Sequence, residues 1–499
     1  MTTYTLNQEN LNAISERVST PKYNRTQLTT GIVHIGIGGF HRAHEAFYTD
    51  QLLHDTSITN WAICGVALLP HDTKIYQTLK AQDGLYTLMV KEFDGSLSKR
   101  VIGAITELLF APEDPSKVIE KIASPEVKIV TLTITEGGYN YNEATGAFDD
   151  KNPSILYDIA HPTQPKTVFG YLTQALKLRQ QKGLKGITIQ SCDNIQGNGD
   201  MTKQMLLSYV KLADPALIPW IEQRVAFPNS MVDRITPATT AADIEQLKTE
   251  EGIVDAWPVV CEPFKQWVIE DQFSNGRPLW EVVGAQFVKD VEPYEKMKLS
   301  LLNAGHSVLG ILGALVGYTT IDEAVNDKNI NAFLEHYLKQ EVVPTLSDLE
   351  NIDLEAYIAS LLQRFGNVSI KDQIDRICSE SSAKFPIFIL PTVKANLKLS
   401  RQTELAAFVV AAWAIYSLGT NEKDEHLNIK DALKDTLHKQ AELASQNHPE
   451  YFLEIESVFG NLKTSKPFVN AYVKAYKTIT KEGVIIAVQN INLSQINSI

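Results

Sequence analysis

The chain has 499 residues, 44% of them hydrophobic and 21% charged, which is too long for one compact core and predicts two or three domains. Its 46 lysines and arginines stand against 59 aspartates and glutamates, which gives a formal net charge of −13. No basic block offsets this acidity, so we expect no nucleic-acid partner.

The apolar stretches and the cysteines argue against a membrane protein and against a disulfide-linked or zinc-binding one. The longest apolar stretch, Leu405 to Tyr416, is shorter than the roughly 18 to 20 residues of a membrane span and predicts a buried helix. The chain does not open on a basic segment followed by an apolar one, so we expect a cytoplasmic protein with no membrane partner. The four cysteines lie far apart without CxxC spacing, which favours small buried side chains over disulfides or a zinc ribbon.

The first part of the chain follows the pattern of an α/β fold. Residues 31–36 (GIVHIG) predict a strand that ends in glycine, and residues 42–54 carry a helical pattern. A second apolar run at 61–69 predicts the next strand and completes a strand–helix–strand unit. Residues 85–110 alternate around the turn Asp94-Gly95 and predict a β-hairpin inserted in the parallel pattern, which makes the strand order mixed.

Two further strands are predicted to end in polar loops that contain glycine. A helix at 115–122 leads into the β-branched run 127–135, which is typical of a strand covered on both faces. A helical pattern at 171–181 precedes the strand 186–192 and the loop DNIQGNGD.

The pattern becomes helical from about residue 294 almost to the end of the chain. We therefore predict an α/β Rossmann-type N-terminal domain with a mixed sheet at 1–290 and an all-α C-terminal domain at 291–499.

A glycine turn between the first strand and the first helix is the candidate cofactor site. A dinucleotide pyrophosphate would meet backbone N–H groups and the positive end of the helix dipole there. His41 stands where the usual GxGxxG pattern has its third glycine, so the motif alone leaves a purely structural turn equally open. The flanking strands and helix favour a nucleotide site formed by Gly36, Ile37, Gly38, Gly39, Phe40 and His41.

Asp72 is the acid nearest to the end of the second strand, where NAD-specific enzymes hold the ribose hydroxyls. It favours NAD, with NADP possible, and capping of the next helix is an equally good interpretation.

Lys298, Asn303 and His306 lie on the first predicted helix of the second domain. In a straight α-helix they project at about 0°, 140° and 80°, so all three share one broad face. The rest of that helix is apolar, and a partly buried lysine has a lowered pKa, which allows its neutral amine to accept a proton from an alcohol. Asparagine NH2 groups suit the charge that develops on the alcohol oxygen.

Asn194 follows the strand 186–192 at the carboxyl edge where α/β sheets place ligands, so it could flank the same oxygen. Taken singly, each of these residues has a structural alternative, either a solvated lysine or a satisfied packing element. Zinc chemistry is the rival mechanism, but His41 and His44 lie in the glycine turn beside the expected phosphates. With no HExxH motif or Cys/His cluster, the sequence favours catalysis without a metal.

These residues occur within motifs that span nearly the whole chain and resemble those of the polyol-specific long-chain dehydrogenases. The motifs are GIGGFHRAH (36–44), TITEGGY (133–139), SCDN (191–194), FPNSMVDRITP (227–237), CEPFKQWVIED (261–271) and the lysine–asparagine–histidine set. The resemblance implies a dinucleotide domain, a helical domain and an active site in the cleft between them.

The resemblance also implies roles for individual residues. Lys298 would be the general base, Asn194 and Asn303 would clamp the oxygen, and His306 would bind the substrate. Glu295 would lie on the proton path to solvent, although a first-turn acid favoured by the helix dipole is its alternative.

Four further residues match family positions near the ligands. Asp233, Arg376 and Lys384 would contact substrate hydroxyls, with solvated surface charges as the alternative, and Glu136 would lie near the nicotinamide, with structural hydrogen bonding as its alternative. Some sugar-acid enzymes of the family carry TEKGY where this chain has TEGGY, and the missing lysine favours a neutral polyol.

The resemblance thus predicts reversible, metal-free oxidation of a small-molecule polyol, D-mannitol, to D-fructose with NAD. The rivals are a fructuronate or tagaturonate reductase and a non-catalytic NAD-binding protein.

Overall fold

A computed structural model describes residues 2–142, 146–347 and 352–496 of the chain. These residues divide into two compact units. The first takes in the chain up to Glu292 apart from residues 93–95, and the second consists of residues 93–95 and the chain from Pro293 onward.

All strands in the described ranges belong to the first unit. They are β1 (Tyr4–Thr5), β2 (Thr30–Ile35), β3 (Ala62–Ala67), β4 (Tyr86–Lys91), β5 (Leu97–Ile102), β6 (Ile105–Phe110), β7 (Ile129–Leu132), β8 (Tyr141–Asn142), β9 (Ala147–Phe148), β10 (Thr188–Ser191), β11 (Ser230–Asp233), β12 (Ile253–Val254), β13 (Val259–Cys261), β14 (Gln266–Glu270) and β15 (Gln286–Val288).

A five-stranded parallel sheet forms the centre of this unit, with the order β10-β7-β2-β3-β6. Every residue of β2, β3, β7 and β10 is buried, as the near-continuous apolar runs in the sequence predict for strands covered on both faces. Strands β3 and β6 lie on one side of β2, and the later strands β7 and β10 lie on the other side. The strand order therefore reverses between β2 and β7, which is where Rossmann folds bind ligands. The predicted Rossmann-type fold is confirmed.

The predicted hairpin forms, but it does not insert into the parallel sheet. Strands β4 and β5 pair antiparallel, and β4 also pairs parallel with β13 in a separate three-stranded sheet. Only β6 joins the central sheet, as its edge strand beside β3. The mixed pairing therefore lies in the smaller sheets, because the partner of β4 comes from a distant part of the chain.

The helices of the first unit cover the sheet and connect its strands. They are α1 (Leu11–Ile14), α2 (Gly39–Ala43), α3 (Glu45–Asp55), α4 (Thr73–Ala81), α5 (Pro115–Ile122), α6 (Thr135–Gly138), α7 (Pro153–Ala160), α8 (Val168–Gln181), α9 (Asn198–Ala213), α10 (Ile218–Arg224) and α11 (Ala241–Glu251). The helix predicted at 42–54 is broken at His44, whose φ of −116° and ψ of −91° separate α2 from α3.

The described part of the second unit is helical, as the sequence predicts. Its helices are α12 (Glu292–Lys298), α13 (Ala304–Val316), α14 (Ile321–Asn326), α15 (Lys328–His336), α16 (Leu354–Phe365), α17 (Ile374–Cys378), α18 (Ser381–Phe388), α19 (Leu390–Lys398), α20 (Glu404–Tyr416), α21 (Lys434–Ser445), α22 (Glu456–Phe459), α23 (Lys466–Glu482) and α24 (Val484–Ile496). π-Helical segments follow α12, at Leu299–Asn303, and α15, at Tyr337–Val342.

Two long apolar helices form the core of this unit. Helix α20 is buried along nearly its whole length, as predicted. The continuous helical stretch Glu292–Val316 is long and apolar enough to cross a membrane, which the sequence interpretation overlooked. Of its most apolar window, 83% is buried inside the protein, as in the core helix of a globular domain. The four cysteines are all buried and unpaired.

Candidate active site

The glycine turn follows β2 directly and requires glycine at its first position. Gly36 has a φ of +106°, and a Cβ there would lie 2.0 Å from the carbonyl oxygen of Thr133. Gly38 is exposed, and a Cβ at this position would meet no atom within 4 Å. The turn therefore packs closely on the residue that follows β7 and leaves open space beside Gly38, as a pyrophosphate-binding turn requires.

Arg42 supports the turn from inside the protein. Its Nε donates to the carbonyl oxygens of Ile37 (3.2 Å) and Gly38 (3.3 Å), and its Nη1 donates to that of Trp257 (2.6 Å). Burial lowers the pKa of Arg42 to about 10, so the guanidinium stays charged at neutral pH. The sequence analysis missed this residue, although an arginine inside an apolar helix-start motif is a signal of a buried, hydrogen-bonded charge.

His34, His41 and Glu45 form a buried cluster below the turn. Glu45 Oε2 lies 2.9 Å from Nδ1 of His34 and 3.2 Å from Nδ1 of His41, and the two imidazole rings stack 3.4 Å apart. Burial lowers the pKa of His41 to about 3. Burial alone would raise the pKa of Glu45, but the two histidines hold it below its ordinary value. His34 Nε2 also reaches the carbonyl oxygen of Gly36 at 2.9 Å, which ties the cluster to the turn.

The same three residues offer ligand atoms within 4.8 Å of one another, as a metal site would. Both nitrogens of His34 and Nδ1 of His41 are nevertheless already at hydrogen-bonding distance from oxygen atoms. We therefore assign the cluster to a hydrogen-bonded network. The expectation that His41 and His44 lie beside phosphates is wrong for their side chains, because both imidazoles are buried and His44 Nε2 pairs with the carbonyl oxygen of Gln266 (2.9 Å).

Asp72 lies five residues after the end of β3. Its Oδ2 accepts from the backbone N–H of Leu69 at 2.9 Å, so one of its two oxygens caps the start of the helical segment after β3, as the alternative interpretation expects. The carboxylate is partly exposed, at 26% of the side-chain surface, and remains available to a solute.

The loops after β7 and β10 meet through Asp193. Its Oδ2 accepts from the N–H of Ile134 (3.0 Å) and its Oδ1 from the N–H of Thr135 (2.9 Å). Thr135 has a φ of +57°, a left-handed conformation that is strained by about 1–3 kcal/mol for such a residue. The residues that follow these two anchor points, Glu136 and Asn194, are exposed at the carboxyl edge of the sheet. The edge thus holds the glycine turn, Glu136 and Asn194, as predicted from the strand ends.

Asp233 is the last residue of β11 and is only 4% exposed. A carboxylate at this degree of burial is unlike the solvated surface charge that the sequence left open. Burial is favourable only when such a group is paired or hydrogen-bonded, so it is held in a fixed position.

In the second unit, a π-helical turn changes the spacing of the predicted catalytic residues. Ala304 donates its N–H to the carbonyl oxygen of Leu299, five residues back, so this turn contains one residue more than an α-helical turn. Asn303 and His306 therefore lie at about 40° and −20° from Lys298 around the helix axis. The wider spread expected for a straight helix is wrong, and the three side chains form a narrow stripe.

This stripe lies next to buried surface. Lys298 is 7% exposed, His306 is 9% exposed and Glu295 is 6% exposed, so Glu295 is not an ordinary first-turn surface acid. Oδ1 of Asn303 is buried and has no hydrogen-bond partner among the described residues. Buried amide oxygens are rarely left unpaired in native proteins, and Oδ1 of Asn396 is another such atom in this unit.

Arg376 and Lys384 lie on α17 and α18, which pack near the stripe. Gly310 of α13 has no side chain, and a Cβ there would lie 2.9 Å from Sγ of Cys378 on α17. Arg376 is exposed and forms a two-pronged ion pair with Asp372, with its Nε and Nη2 donating at 2.9 and 2.5 Å. Lys384 donates to the carbonyl oxygen of Ile377 at 2.9 Å, and burial lowers its pKa.

Comparison with known proteins covers both units. The family model described as the mannitol dehydrogenase Rossmann domain matches residues 30–282, and the model of the mannitol dehydrogenase C-terminal domain matches residues 290–480. The chain belongs to the mannitol dehydrogenase family.

Similar members of the mannitol dehydrogenase family are known from fungi. A mannitol dehydrogenase of Saccharomyces cerevisiae is 42% identical over 98% of both chains. A mannitol 2-dehydrogenase of Aspergillus terreus is 42% identical over 96% of this chain and 97% of its own.

Two solved structures match nearly the whole chain. Mannitol 2-dehydrogenase of Pseudomonas fluorescens, solved as a ternary complex with NAD and D-mannitol, is 43% identical, with a TM-score of 0.85 over 98% of this chain and 99% of its own. A D-sorbitol dehydrogenase in substrate-free form is 38% identical, with a TM-score of 0.91 over 97% of this chain and all of its own. The resemblance stated from the sequence motifs is confirmed at the level of the family.

Proposed function

We propose that this chain catalyses the reversible oxidation of D-mannitol to D-fructose with NAD, using Lys298 as the general base. The observation that carries the proposal is the narrow stripe of Lys298, Asn303 and His306 on a buried helix of a mannitol dehydrogenase family member. Its support is the near-complete match to an enzyme solved with NAD and D-mannitol.

In oxidation, the C2 hydroxyl gives its proton to the neutral Lys298 amine while the C2 hydride leaves carbon, so that the C–O single bond becomes a carbonyl. Asn194 and Asn303 hold the oxygen as its charge develops, and His306 orients it. Glu295, buried one turn before the lysine, passes the proton toward solvent. In reduction, the protonated Lys298 returns the proton to the alkoxide oxygen.

NAD, when bound, supplies the hydride acceptor. We propose that residues 1–290 form the dinucleotide-binding domain and residues 291–499 the catalytic and substrate domain. The open side of the turn from Gly36 to His41 holds the pyrophosphate, Asp72 approaches the ribose and Glu136 lies near the nicotinamide. The side chain of His41 is buried, so its share in this site comes through the backbone.

Asp233, Arg376 and Lys384 are proposed to bind the remaining hydroxyls of the polyol. A neutral polyol is favoured over a sugar acid because Gly137 and Gly138 leave no cation in the loop after β7 to meet a carboxylate. The sugar-acid reductase activity is therefore not favoured.

The direct test is an assay of the purified enzyme with D-mannitol, D-sorbitol, D-fructose and fructuronate, each with NAD(H) and NADP(H), followed by nicotinamide absorbance. We expect mannitol oxidation and fructose reduction with NAD(H) to exceed all other combinations. Tight NAD(H) binding without any polyol-dependent absorbance change would instead indicate a non-catalytic binding protein.

The general base is tested by Lys298→Ala, with Lys296→Ala as a matched control two residues away on the same helix. Lys296 is exposed and donates to the carbonyl oxygen of Thr345 at 2.7 Å, so its loss should leave turnover nearly unchanged. Loss of the Lys298 amine should lower kcat by about 100- to 10,000-fold while NAD binding survives. Near-normal mannitol turnover in Lys298→Ala would show that the base is another group.

A further inference from the structure

Asp193 occupies a position that the proposed chemistry does not use. It precedes Asn194, which the proposed function assigns to the substrate oxygen, and its carboxylate reaches the loop that carries Glu136. The residue is only 8% exposed, so it is held inside the sheet edge and has little contact with bulk solvent.

Every strong contact of this carboxylate is to the loop after β7. The N–H groups of Ile134 and Thr135 donate to its two oxygens at 3.0 and 2.9 Å, and the hydroxyl of Tyr139 donates to Oδ2 at 2.7 Å. The same hydroxyl lies 2.6 Å from Oγ of Ser191, at the end of β10. The two loops are thus joined by charge-assisted hydrogen bonds at their bases.

The joined loop contains the strained residue next to Glu136. Thr135 is β-branched and adopts a φ of +57°, a conformation that such residues avoid. Its N–H is the group that Asp193 Oδ1 binds. Strain of this kind persists only where the surrounding structure imposes it, and it concentrates at functional sites.

The other side of Asp193 is fixed as well. Its backbone oxygen accepts from the side-chain amide of Asn198 at 3.1 Å, and that amide also donates to the carbonyl oxygen of Ser230 at 2.8 Å. The backbone of Asp193 is therefore fixed next to β10 by hydrogen bonding, while its carboxylate fixes the loop that follows β7. A displacement of the carboxylate would move Glu136 relative to Asn194.

We propose that Asp193 is a positioning residue for hydride transfer, which holds Thr135 in its left-handed conformation and thereby fixes Glu136 and Asn194 relative to one another. The inference rests on the proposed function, because only that function gives the two neighbouring residues their roles. Asp193 itself touches neither substrate nor cofactor in this proposal, and it acts through the loop.

The test combines Asp193→Asn with Thr135→Gly. The amide of asparagine keeps the shape of the carboxylate but turns an N–H donor toward a backbone N–H, so the clamp is lost. We expect kcat for mannitol oxidation to fall by roughly 10- to 100-fold, with a much smaller change in KM for NAD, because a small misplacement of reacting groups affects turnover more than binding. Hydrogen exchange of the peptide that covers 133–139 should become faster.

Rescue separates positioning from general stability. Glycine adopts a positive φ without strain, so Thr135→Gly alone should keep the parent kcat within about threefold. When Thr135→Gly is added to Asp193→Asn, log kcat should recover by at least about a third of what Asp193→Asn lost. The reason is that glycine at position 135 adopts the left-handed conformation without the carboxylate. No gain in the double variant would overturn the proposal.

Asp158 is the matched control in the same unit. Its buried carboxylate also accepts from two successive N–H groups, those of Lys166 (2.7 Å) and Thr167 (2.9 Å), in a segment that carries no proposed site residue. Asp158→Asn should lower the melting temperature but leave kcat unchanged. The positioning role would be overturned by an equal loss of kcat in both aspartate variants, or by a parent-like kcat in Asp193→Asn. In either case the mannitol activity of the parent enzyme would still support the proposed function. A parent enzyme without polyol activity would overturn both.

Discussion

Single glycines in the turn after β2 have opposite structural requirements. Gly36 is in close contact with Thr133, the residue after β7, and has a positive φ, whereas Gly38 has a φ of −67° and open space around it. At position 36 the fold itself therefore excludes a larger residue, whereas at position 38 only the proposed ligand does so.

Substitution of each glycine by alanine separates these limits. Gly36→Ala places a methyl group 2.0 Å from the Thr133 oxygen, so we expect it to lower the free energy of unfolding by at least about 3 kcal/mol or to abolish folding. Gly38→Ala should fold normally, but its methyl group enters the proposed pyrophosphate space and should weaken NAD binding by roughly tenfold or more. Thermal unfolding and NADH fluorescence titration measure the two effects. Parent-like NAD affinity in a folded Gly38→Ala would place the pyrophosphate elsewhere.

The partners of Arg42, His34 and Asp193 could not be identified from sequence, although a buried charge at Arg42 could have been expected. Each of the three has a polar side chain whose role depends on a partner far along the chain, such as the Trp257 carbonyl for Arg42 or the Ile134 N–H for Asp193. By contrast, Lys298 and Asn194 could be proposed from sequence, because an amine on an apolar helix and a polar residue after a buried strand are local patterns.

Among the elements, the strands of the central sheet were the most predictable from sequence. Burial on both faces leaves a continuous apolar run, and β2, β3, β7 and β10 all show one. The sheet to which the hairpin belongs was not predictable, since it depends on pairing of Leu88–Val90 with Val259–Cys261. The π-helical turn after Lys298 was missed as well, because one added residue hardly changes the apolar periodicity of a buried helix.

The second π-helical segment, Tyr337–Val342, supports helix α20 through a buried acid. Glu341 is 2% exposed, and its two oxygens accept from the N–H groups of Leu405 (2.8 Å) and Ala406 (2.9 Å) at the start of that helix. Burial raises the pKa of Glu341 to about 7, although these two hydrogen bonds lower it in part.

This acid should make the stability of the second unit depend on pH. Since the pKa of Glu341 is higher in the folded than in the unfolded chain, its contribution is fully present below the ordinary glutamate pKa and is lost as pH rises through about 7. We expect the free energy of unfolding to fall by roughly 3 kcal/mol between pH 4.5 and 7.5, and Glu341→Gln to flatten this part of the curve.

Denaturant unfolding across this pH range, followed by tryptophan fluorescence, measures the effect, since Trp413 lies on α20. Asp435→Asn is the control, because Asp435 is an exposed acid on α21 of the same unit and is not among the groups that shift the pKa of Glu341, so it should leave the slope unchanged. An unchanged slope in Glu341→Gln would show that folding does not raise the pKa of this carboxyl group.

For the whole molecule, sequence patterns assigned the dinucleotide motif to one half of the chain and the catalytic stripe to the other. Family models match both halves, so the fold and the family are established over nearly the full length. The joint action of Asn194 and Lys298 stays a prediction. The two residues belong to different units, and no local sequence pattern links a residue of one unit to a residue of the other.

At this scale the proposed reaction needs no metal ion, since the Lys298 amine accepts the proton that a zinc-bound oxygen would otherwise lose. We expect dialysis against EDTA to leave mannitol turnover unchanged, and the oxidation rate to rise with pH through a single ionisation. Loss of activity that added Zn²⁺ restores would contradict this, and His34→Gln would then test the buried His34–His41–Glu45 cluster as the metal's location.

The extra residue in the π-helical turn makes spacing in sequence differ from spacing in space along the catalytic helix. Lys298 and Asn303 are five residues apart, yet around the helix axis they are related as residues four apart in an α-helix. Deleting one amino acid between them would return the segment to ordinary α-helix and leave the asparagine and the histidine at about 40° and −20° from the lysine. A homologue that is one residue shorter at this site would therefore present the same three side chains along one stripe, although a sequence alignment would show a gap there.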